Sequence, residues 1–118
     1  MRNQKSKLEL NSYIEMSNSE LHIYKNPDEC AEAGANAIES FIKEELKEQG
    51  TVRIALCGGK DPIPVYRKLV DNKSFPWGRI YLFLTDERYV PLNSNDSNYG
   101  MLTENIVEKV PSVRRFYH

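Results

Sequence analysis

The sequence predicts an α/β domain in which helices flank a partial parallel sheet. Two short apolar segments, Val52 to Leu56 and Ile80 to Leu84, are bounded by glycine or polar residues, which is typical of buried strands. The chain between them has room for one crossover helix, so the two strands are expected to be parallel neighbours. A glycine turn follows the first strand and a charged run follows the second. Both should emerge at the carboxyl edge of the sheet, where such sheets bind ligands.

The overall composition fits one domain with a small core, since the chain has 118 residues. Sixteen basic residues against seventeen acidic ones give a net charge of −1, which argues against a nucleic-acid or membrane-surface partner. No apolar run is long enough for a signal peptide or a membrane span. The two cysteines, Cys30 and Cys57, are expected to be small core residues and not a disulfide, as in a cytoplasmic protein.

The N-terminal part of the chain divides into a leader and a first strand. Residues 1–19 are polar without a sustained period, which predicts a flexible leader, so that the domain comprises residues 20–118. Alternation from Glu20 to Tyr24 predicts a short, half-exposed strand with His22 on its outer face. A single histidine in such a strand is expected to be structural or solvated.

A first helix is predicted from Asn26 to a point before Gly50. Asn26 is a suitable N-cap, Pro27 suits the first helical position, and Glu29 completes a capping box. The small residues around Gly34 would allow the helix to approach the sheet closely. Apolar residues recur at helical spacing and predict the buried face: Ala31, Ala35, Ile38, Ile42 and Leu46.

The second helix follows the glycine turn. Asp61 is expected to cap it, with Pro62 in the first helical position, and Trp77 in the return loop should cover this helix. Its predicted inner face consists of Val65, Leu69 and Val70.

The last part of the chain predicts a third helix and the start of another strand. Asp96 or Ser97 can cap a helix from about 98 to 107, and Pro111 stops it. Its predicted buried side consists of Met101, Leu102, Asn105, Ile106 and Val110. Residues 113–117 then resemble a strand, and the edge of the sheet there would need a further cover.

The glycine turn is a candidate anion site. Backbone N–H groups at Gly58 and Gly59 could approach a phosphate or carboxylate, and Lys60 adds a positive charge, whereas Asp61 would repel the anion. The alternative is a plain tight turn between strand and helix. Neither a dinucleotide fingerprint nor a nucleotide-binding Gly-Lys-Ser/Thr loop is present.

The charged run of Asp86, Glu87 and Arg88 is the second candidate. Alternation along the chain sends Asp86 and Arg88 to one side and Glu87 to the other. An arginine there suits a phosphate, and an aspartate suits the orientation of a histidine or a sugar hydroxyl. The alternative is an exposed charged turn with a local ion pair.

Three motifs together resemble the 6-phosphogluconolactonases, with the glucosamine-6-phosphate isomerases/deaminases as the sister group. They are Gly58-Gly59-x-x-Pro62 with Tyr66, Asp86-Glu87-Arg88-x-Val90-Pro91, and Asp96-Ser97-Asn98-Tyr99-Gly100-Met101. The resemblance covers about residues 20–117 and implies the first half of the family's Rossmann-like catalytic domain.

The resemblance implies a hydrolase that converts 6-phosphogluconolactone to 6-phosphogluconate in the oxidative pentose phosphate pathway, with no metal or organic cofactor. It implies that the glycine turn from Gly58 to Lys60 and Arg88 bind the sugar-phosphate substrate. It also implies that Asp86 orients a general-base histidine, which the family places on a Gly-Asp-Gly-His loop in its second half.

Two departures from the family pattern shape the expected activity. The Gly-Asp-Gly-His loop is absent, since His22 and His118 are the only histidines, and Lys60 with Asp61 replaces hydroxyl residues that can donate to phosphate. We therefore expect the chain alone to be inactive, with a C-terminal half, or self-association through the open sheet edge, completing it. The alternatives are a truncated, non-catalytic homologue that binds a sugar phosphate or a partner protein, and an amino-sugar phosphate isomerase/deaminase relative.

Overall fold

The structure is a computed structural model that describes residues 18–118. Its elements, in chain order, are helix α1 (Pro27–Leu46), strand β1 (Val52–Leu56), helix α2 (Ile63–Asp71), a 3₁₀ turn (Trp77–Arg79), strand β2 (Ile80–Leu84), helix α3 (Asn98–Leu102), a π-helical turn (Thr103–Val107) and strand β3 (Arg115–Phe116). Across residues 18–118, no helix combines the length and apolar character that crossing a bilayer requires.

The three strands form one parallel sheet in the order β1-β2-β3. Leu56 of β1 lies opposite Leu84 of β2, and Leu82 lies opposite Phe116 of β3. The central strand is the most buried, since Ile80 and Leu82 have no exposed area. The predicted α/β class, both predicted strands and the start of a third strand are confirmed.

The first helix begins as predicted. The Asn26 side chain accepts a 2.8 Å hydrogen bond from the backbone N–H of Glu29, which satisfies one of the unpaired donors at a helix start. The helix packs closely on α2, where a Cβ added to Gly34 would lie 3.4 Å from Val65 Cγ2. The small residues therefore serve a helix–helix contact, whereas the sequence predicted a contact with the sheet.

The hydrophobic core joins the helices to one face of the sheet. Trp77 and Phe75 pack with ring centroids 4.6 Å apart, and both are buried, as expected for a tryptophan that covers the crossover helix. The remaining buried members of this core are Ala35, Ile42, Leu56, Tyr66, Leu69, Ile80, Leu82, Leu102 and Ile106. On the other face of the sheet, Arg53 and Ala55 are exposed.

The predicted strand from Glu20 to Tyr24 is absent. These residues are exposed, with Ile23 72% exposed, and they belong to no strand of the described sheet. A strand requires a hydrogen-bonded partner, and alternation of side chains cannot supply one. His22 is exposed beside Glu20, at 3.2 Å. The predicted leader lies mostly outside the described residues, which begin at Asn18.

The prediction that both cysteines belong to the core is wrong. Cys30 and Cys57 are exposed free thiols. Cys30 precedes the buried Ala31 and therefore lies on a different side of the helix, and Cys57 follows the last residue of β1. Each cysteine is therefore adjacent in sequence to a buried residue, Ala31 or Leu56, but its own side chain lies outside the core.

The second helix begins later than predicted. Pro62 occupies the cap position, and Asp61 makes no capping hydrogen bond. Residues 60–62 instead form a turn, closed by a 3.2 Å hydrogen bond from the Ile63 N–H to the Lys60 carbonyl. Asp61 therefore does not satisfy the helix start, which corrects the predicted cap.

The third helix is capped by Ser97, one of the two predicted candidates. Its side chain accepts a 3.1 Å hydrogen bond from the Gly100 N–H. The α-helix then widens into the π-helical turn, where the Asn105 side chain donates to the Met101 carbonyl at 2.9 Å. This turn ends at Val107, before Pro111.

Candidate functional site at the carboxyl edge of the sheet

The carboxyl ends of β1 and β2 meet, as the sequence predicted. The Thr85 N–H donates a 3.1 Å hydrogen bond to the Leu56 carbonyl, so the two strands remain in register to their last residues. Gly58 follows β1 and Asp86 follows β2 by the same two residues. The parallel register therefore delivers both polar runs to one edge of the sheet.

The side chain of Asn98 lies between the two runs. Its Nδ2 donates to the Asp86 carbonyl at 3.2 Å and to Asp86 Oδ1 at 3.3 Å. Its carboxamide also lies against Gly58, where an added Cβ would collide with Asn98 Oδ1. Gly58 is needed for this close approach, and Gly59 for its positive φ of 91°. Glycine is thus required at position 58 for steric reasons and at position 59 for its backbone conformation, and the sequence spacing revealed neither requirement.

Tyr66 stabilises the end of β1, next to the glycine turn, through a hydrogen bond. Its hydroxyl donates a 2.7 Å hydrogen bond to the Cys57 carbonyl, and its side chain is buried. Burial raises the pKa of Tyr66 above its usual range, and the hydrogen-bonding contact with the Cys57 thiol adds to this, so the hydroxyl stays a neutral donor. The sequence motif contained this tyrosine, but its anchoring role depends on the tertiary contact.

Glu87 holds the start of α3 through four hydrogen bonds. Its carboxylate accepts hydrogen bonds from the backbone N–H groups of Arg88, Asn98 and Tyr99 and from the Ser97 hydroxyl, at 2.7, 2.7, 2.9 and 3.0 Å. Partial desolvation raises the pKa of Glu87, but these four donors outweigh it and lower the pKa to about 2. Nothing in the sequence indicated this role, because Glu87 lies ten residues before the helix cap Ser97 and no local pattern links the two.

An open cavity of about 1020 Å³ lies beside the two runs. Gly59, Lys60 and Arg88 line it, together with the loop and helix that follow Arg88. Arg67 also lines the cavity, and it was not predicted from the sequence. It lies one helical turn after Ile63, which lines the cavity too, so the two side chains share one face of α2. Three cations therefore border the cavity, and Asp96, Glu104 and Glu108 place carboxylates on its rim.

Of the predicted site residues, Gly59, Lys60 and Arg88 line this cavity, whereas Gly58 and Asp86 do not. Asp86 lies at the strand end, where Thr85 Oγ1 donates to its carboxylate at 3.4 Å in addition to Asn98. No ion pair in residues 18–118 involves Asp86, Glu87 or Arg88, so the alternative of a turn with a local ion pair is not what forms. His118 packs on Tyr99, with ring centroids 4.6 Å apart.

Metal ligands are not clustered in the part of the chain that the structure describes. No group of three or more His, Cys, Asp or Glu side chains there is arranged to hold an ion. The polar groups at the carboxyl edge are instead a mixture of cations, carboxylates and amides.

These features define an α/β protein in which helices pack on a three-stranded parallel sheet, with an open cavity beside the carboxyl edge of the sheet. Residues 25–118 match the family described as Glucosamine-6-phosphate isomerases/6-phosphogluconolactonase. The chain belongs to this family, which confirms the resemblance of its motifs.

Known proteins of this family match the chain in sequence and in structure. A 6-phosphogluconolactonase of Thermotoga maritima is 40% identical over 92 residues, which are 76% of this chain and 41% of that protein. The structure of the 6-phosphogluconolactonase from Trypanosoma brucei superimposes with a TM-score of 0.71 at 32% identity, covering 80% of this chain and 37% of that one.

A third match is the 6-phosphogluconolactonase from Shewanella baltica, with a TM-score of 0.72 at 26% identity, over 80% of this chain and 40% of that one. The chain thus spans about two fifths of the length of these relatives.

Proposed function

We propose that these residues are the N-terminal half of a 6-phosphogluconolactonase domain, which hydrolyses 6-phosphogluconolactone to 6-phosphogluconate. The relatives named above are 6-phosphogluconolactonases. The observation that carries the proposal is the convergence of three motifs, because Asn98 joins Asp86 to the glycine turn beside the cavity that Arg88 lines. The reaction would serve the oxidative pentose phosphate pathway in the cytoplasm.

The phosphate of the substrate is assigned to the cationic side of the cavity. Arg88 and Lys60 line it and can donate charge-assisted hydrogen bonds to phosphate oxygens. Gly59, which also lines it, carries no side chain that would keep the phosphate from the backbone. The positive charges compensate for the hydroxyl residues that Lys60 and Asp61 replace in this chain.

The chemical step is assigned to Asp86 together with a histidine from outside these residues. The Asp86 carboxylate would accept a hydrogen bond from one imidazole nitrogen, which leaves the other nitrogen free to take a proton from water. The oxygen of that water attacks the lactone carbonyl, the ring C–O bond breaks, and the leaving oxygen takes a proton. In this scheme Asp86 orients the base and does not itself contact the lactone.

The first test is an assay of purified chain 1–118 with 6-phosphogluconolactone. We expect hydrolysis at the spontaneous rate, because neither His22 nor His118 hydrogen-bonds Asp86 in the described residues. Turnover clearly above that rate would contradict the assignment of the base. The reading frame after His118 discriminates further, since a Gly-Asp-Gly-His motif there supports the enzyme and a stop codon supports a non-catalytic homologue that binds a sugar phosphate.

The second test measures binding of 6-phosphogluconate by calorimetry. Arg88→Ala should weaken the affinity at least about tenfold, because a hydrogen bond to a charged group contributes about 1.5–3 kcal/mol. Arg53→Ala is the matched control, since Arg53 is exposed on β1 and does not line the cavity. An unchanged affinity in Arg88→Ala would remove Arg88 from the site. A tighter association with glucosamine 6-phosphate would favour the isomerase/deaminase branch.

A further inference from the structure

Asn98 contacts the charged run through its backbone and its side chain, and it contacts the glycine turn through the same side chain. Its backbone N–H donates to Glu87 Oε1 at 2.7 Å, and its Nδ2 donates to both the carbonyl and the carboxylate of Asp86. Its carboxamide rests against Gly58 on the opposite strand end. One short side chain therefore contacts two segments that lie 28 residues apart in the sequence (58 to 86).

The backbone that carries this side chain is itself held in place. Ser97, the preceding residue, is buried at 2% exposure and caps α3, and Glu87 accepts from the Asn98 N–H. The backbone of Asn98 is thus fixed by hydrogen bonds on both sides. A side chain on a constrained backbone can position the groups that it contacts more precisely.

We propose that Asn98 is a positioning residue that directs the Asp86 carboxylate and sets its distance from the glycine turn. The inference deepens the proposed function and rests on it, because the role of Asp86 as the partner of a histidine is part of that proposal. An asparagine suits this role, since its amide donates two hydrogens while its oxygen lies against a glycine. An aspartate of the same size would instead oppose one carboxylate to another.

The contact between Asn98 and Gly58 can be measured without any ligand. Gly58→Ala should lower the folding equilibrium constant about tenfold or more, because the new Cβ collides with the carboxamide. In the Asn98→Ala background the obstacle is absent, so most of this loss should disappear. Urea denaturation of the four proteins gives the coupling. Additive effects of the two substitutions would overturn the packing half of the inference.

The hydrogen bonds to Asp86 are tested by its 13Cγ chemical shift in NMR spectra. Asn98→Asp preserves the size of the side chain but removes the donors and places a second carboxylate beside Asp86, so the Asp86 signal should move in this variant as well as in Asn98→Ala. Asn36→Ala is the matched control, since Asn36 is exposed on α1 and should leave the Asp86 signal in place. An unmoved Asp86 signal in both Asn98 variants would overturn the positioning role.

Calorimetry with 6-phosphogluconate separates this inference from the proposed function. Both Asn98 variants should bind several-fold more weakly than the wild-type chain, because Asn98 sets the position of the glycine turn that is assigned to the phosphate, and Asn36→Ala should bind equally well. A wild-type chain that binds no sugar phosphate contradicts the proposed function, while the coupling and the NMR signal still decide the role of Asn98. Normal binding by both Asn98 variants contradicts the inference and leaves the proposed function standing.

Discussion

The hydroxyl of Ser97 donates a 3.0 Å hydrogen bond to the carboxylate of Glu87. The same hydroxyl accepts from the Gly100 N–H, so it caps α3 and at the same time ties that helix to the end of β2. Three backbone N–H groups complete the set of donors around Glu87. Asp86 and the cavity-lining Arg88, on either side of Glu87, are therefore tied to the start of α3 through a carboxylate that does not line the cavity.

Removal of the charge on Glu87 should destabilise the fold. In Glu87→Gln the four donors lose their anionic acceptor, and an amide NH₂ must face some of them. We expect a loss of about 1–2 kcal/mol in the free energy of unfolding, at the lower end for a hydrogen-bonded charge because solvent reaches this carboxylate. Urea denaturation measures it. Glu104→Gln is the control, since its exposed side chain has no hydrogen bond in the described residues, and equal losses in both variants would contradict the anchoring role.

The contribution of Glu87 should depend on pH in a defined window. The folded state lowers its pKa from 4.5 to about 2, so the unfolded chain takes up the proton first as pH falls. The stabilisation is complete above pH 4.5, decreases from there towards pH 2, and is lost below. The difference in unfolding free energy between wild type and Glu87→Gln should therefore shrink over this interval. A difference that stays constant from pH 6 to about pH 2 would contradict the lowered pKa.

Gly59 should tolerate alanine poorly. Its φ of 91° is a backbone conformation that side chains with a Cβ rarely adopt, although space around the position is open. Gly59→Ala should cost about 1–2 kcal/mol of unfolding free energy from backbone strain alone. Gly50→Ala provides the comparison, because Gly50 has open space and no positive φ. Thermal denaturation of both variants distinguishes strain from a general effect of added methyl groups.

Leu82 should be among the most sensitive core positions. It has no exposed area and lies in the central strand, so Leu82→Ala would leave a cavity and cost about 2–5 kcal/mol. Leu21→Ala removes the same atoms from a side chain that is 45% exposed and should change stability by less than about 0.5 kcal/mol. Chemical denaturation measures both, and similar losses would show that the sheet face is not the centre of the core.

Both cysteines should react with a thiol reagent in the folded protein. Cys30 and Cys57 are exposed, so two thiols per chain should be modified without denaturant. Cys30→Ser and Cys57→Ser should each reduce the count by one. Modification that requires urea would restore the expectation from the sequence that these residues are buried.

Local signals explain what the sequence predicted correctly. The start of α1 depends on Asn26, Pro27 and Glu29, which interact within one turn, and the two strands are short apolar runs between glycine or polar residues. The parallel pairing of the two strands followed from the length of the crossover, and it placed both polar runs at one edge. The family motifs could be recognised for the same reason, because their spacing is a property of the chain alone.

The tertiary structure decided whatever depends on a partner distant in sequence. The apolar alternation from Glu20 to Tyr24 forms no strand, because hydrogen-bond partners come from other segments. Asn98 against Gly58, Glu87 beneath α3 and Arg67 at the cavity are likewise contacts between segments. The sequence by itself thus determined the elements and the edge where the site lies. Only the tertiary structure determined which side chains lie together there, because residues distant in sequence can interact only after the chain has folded.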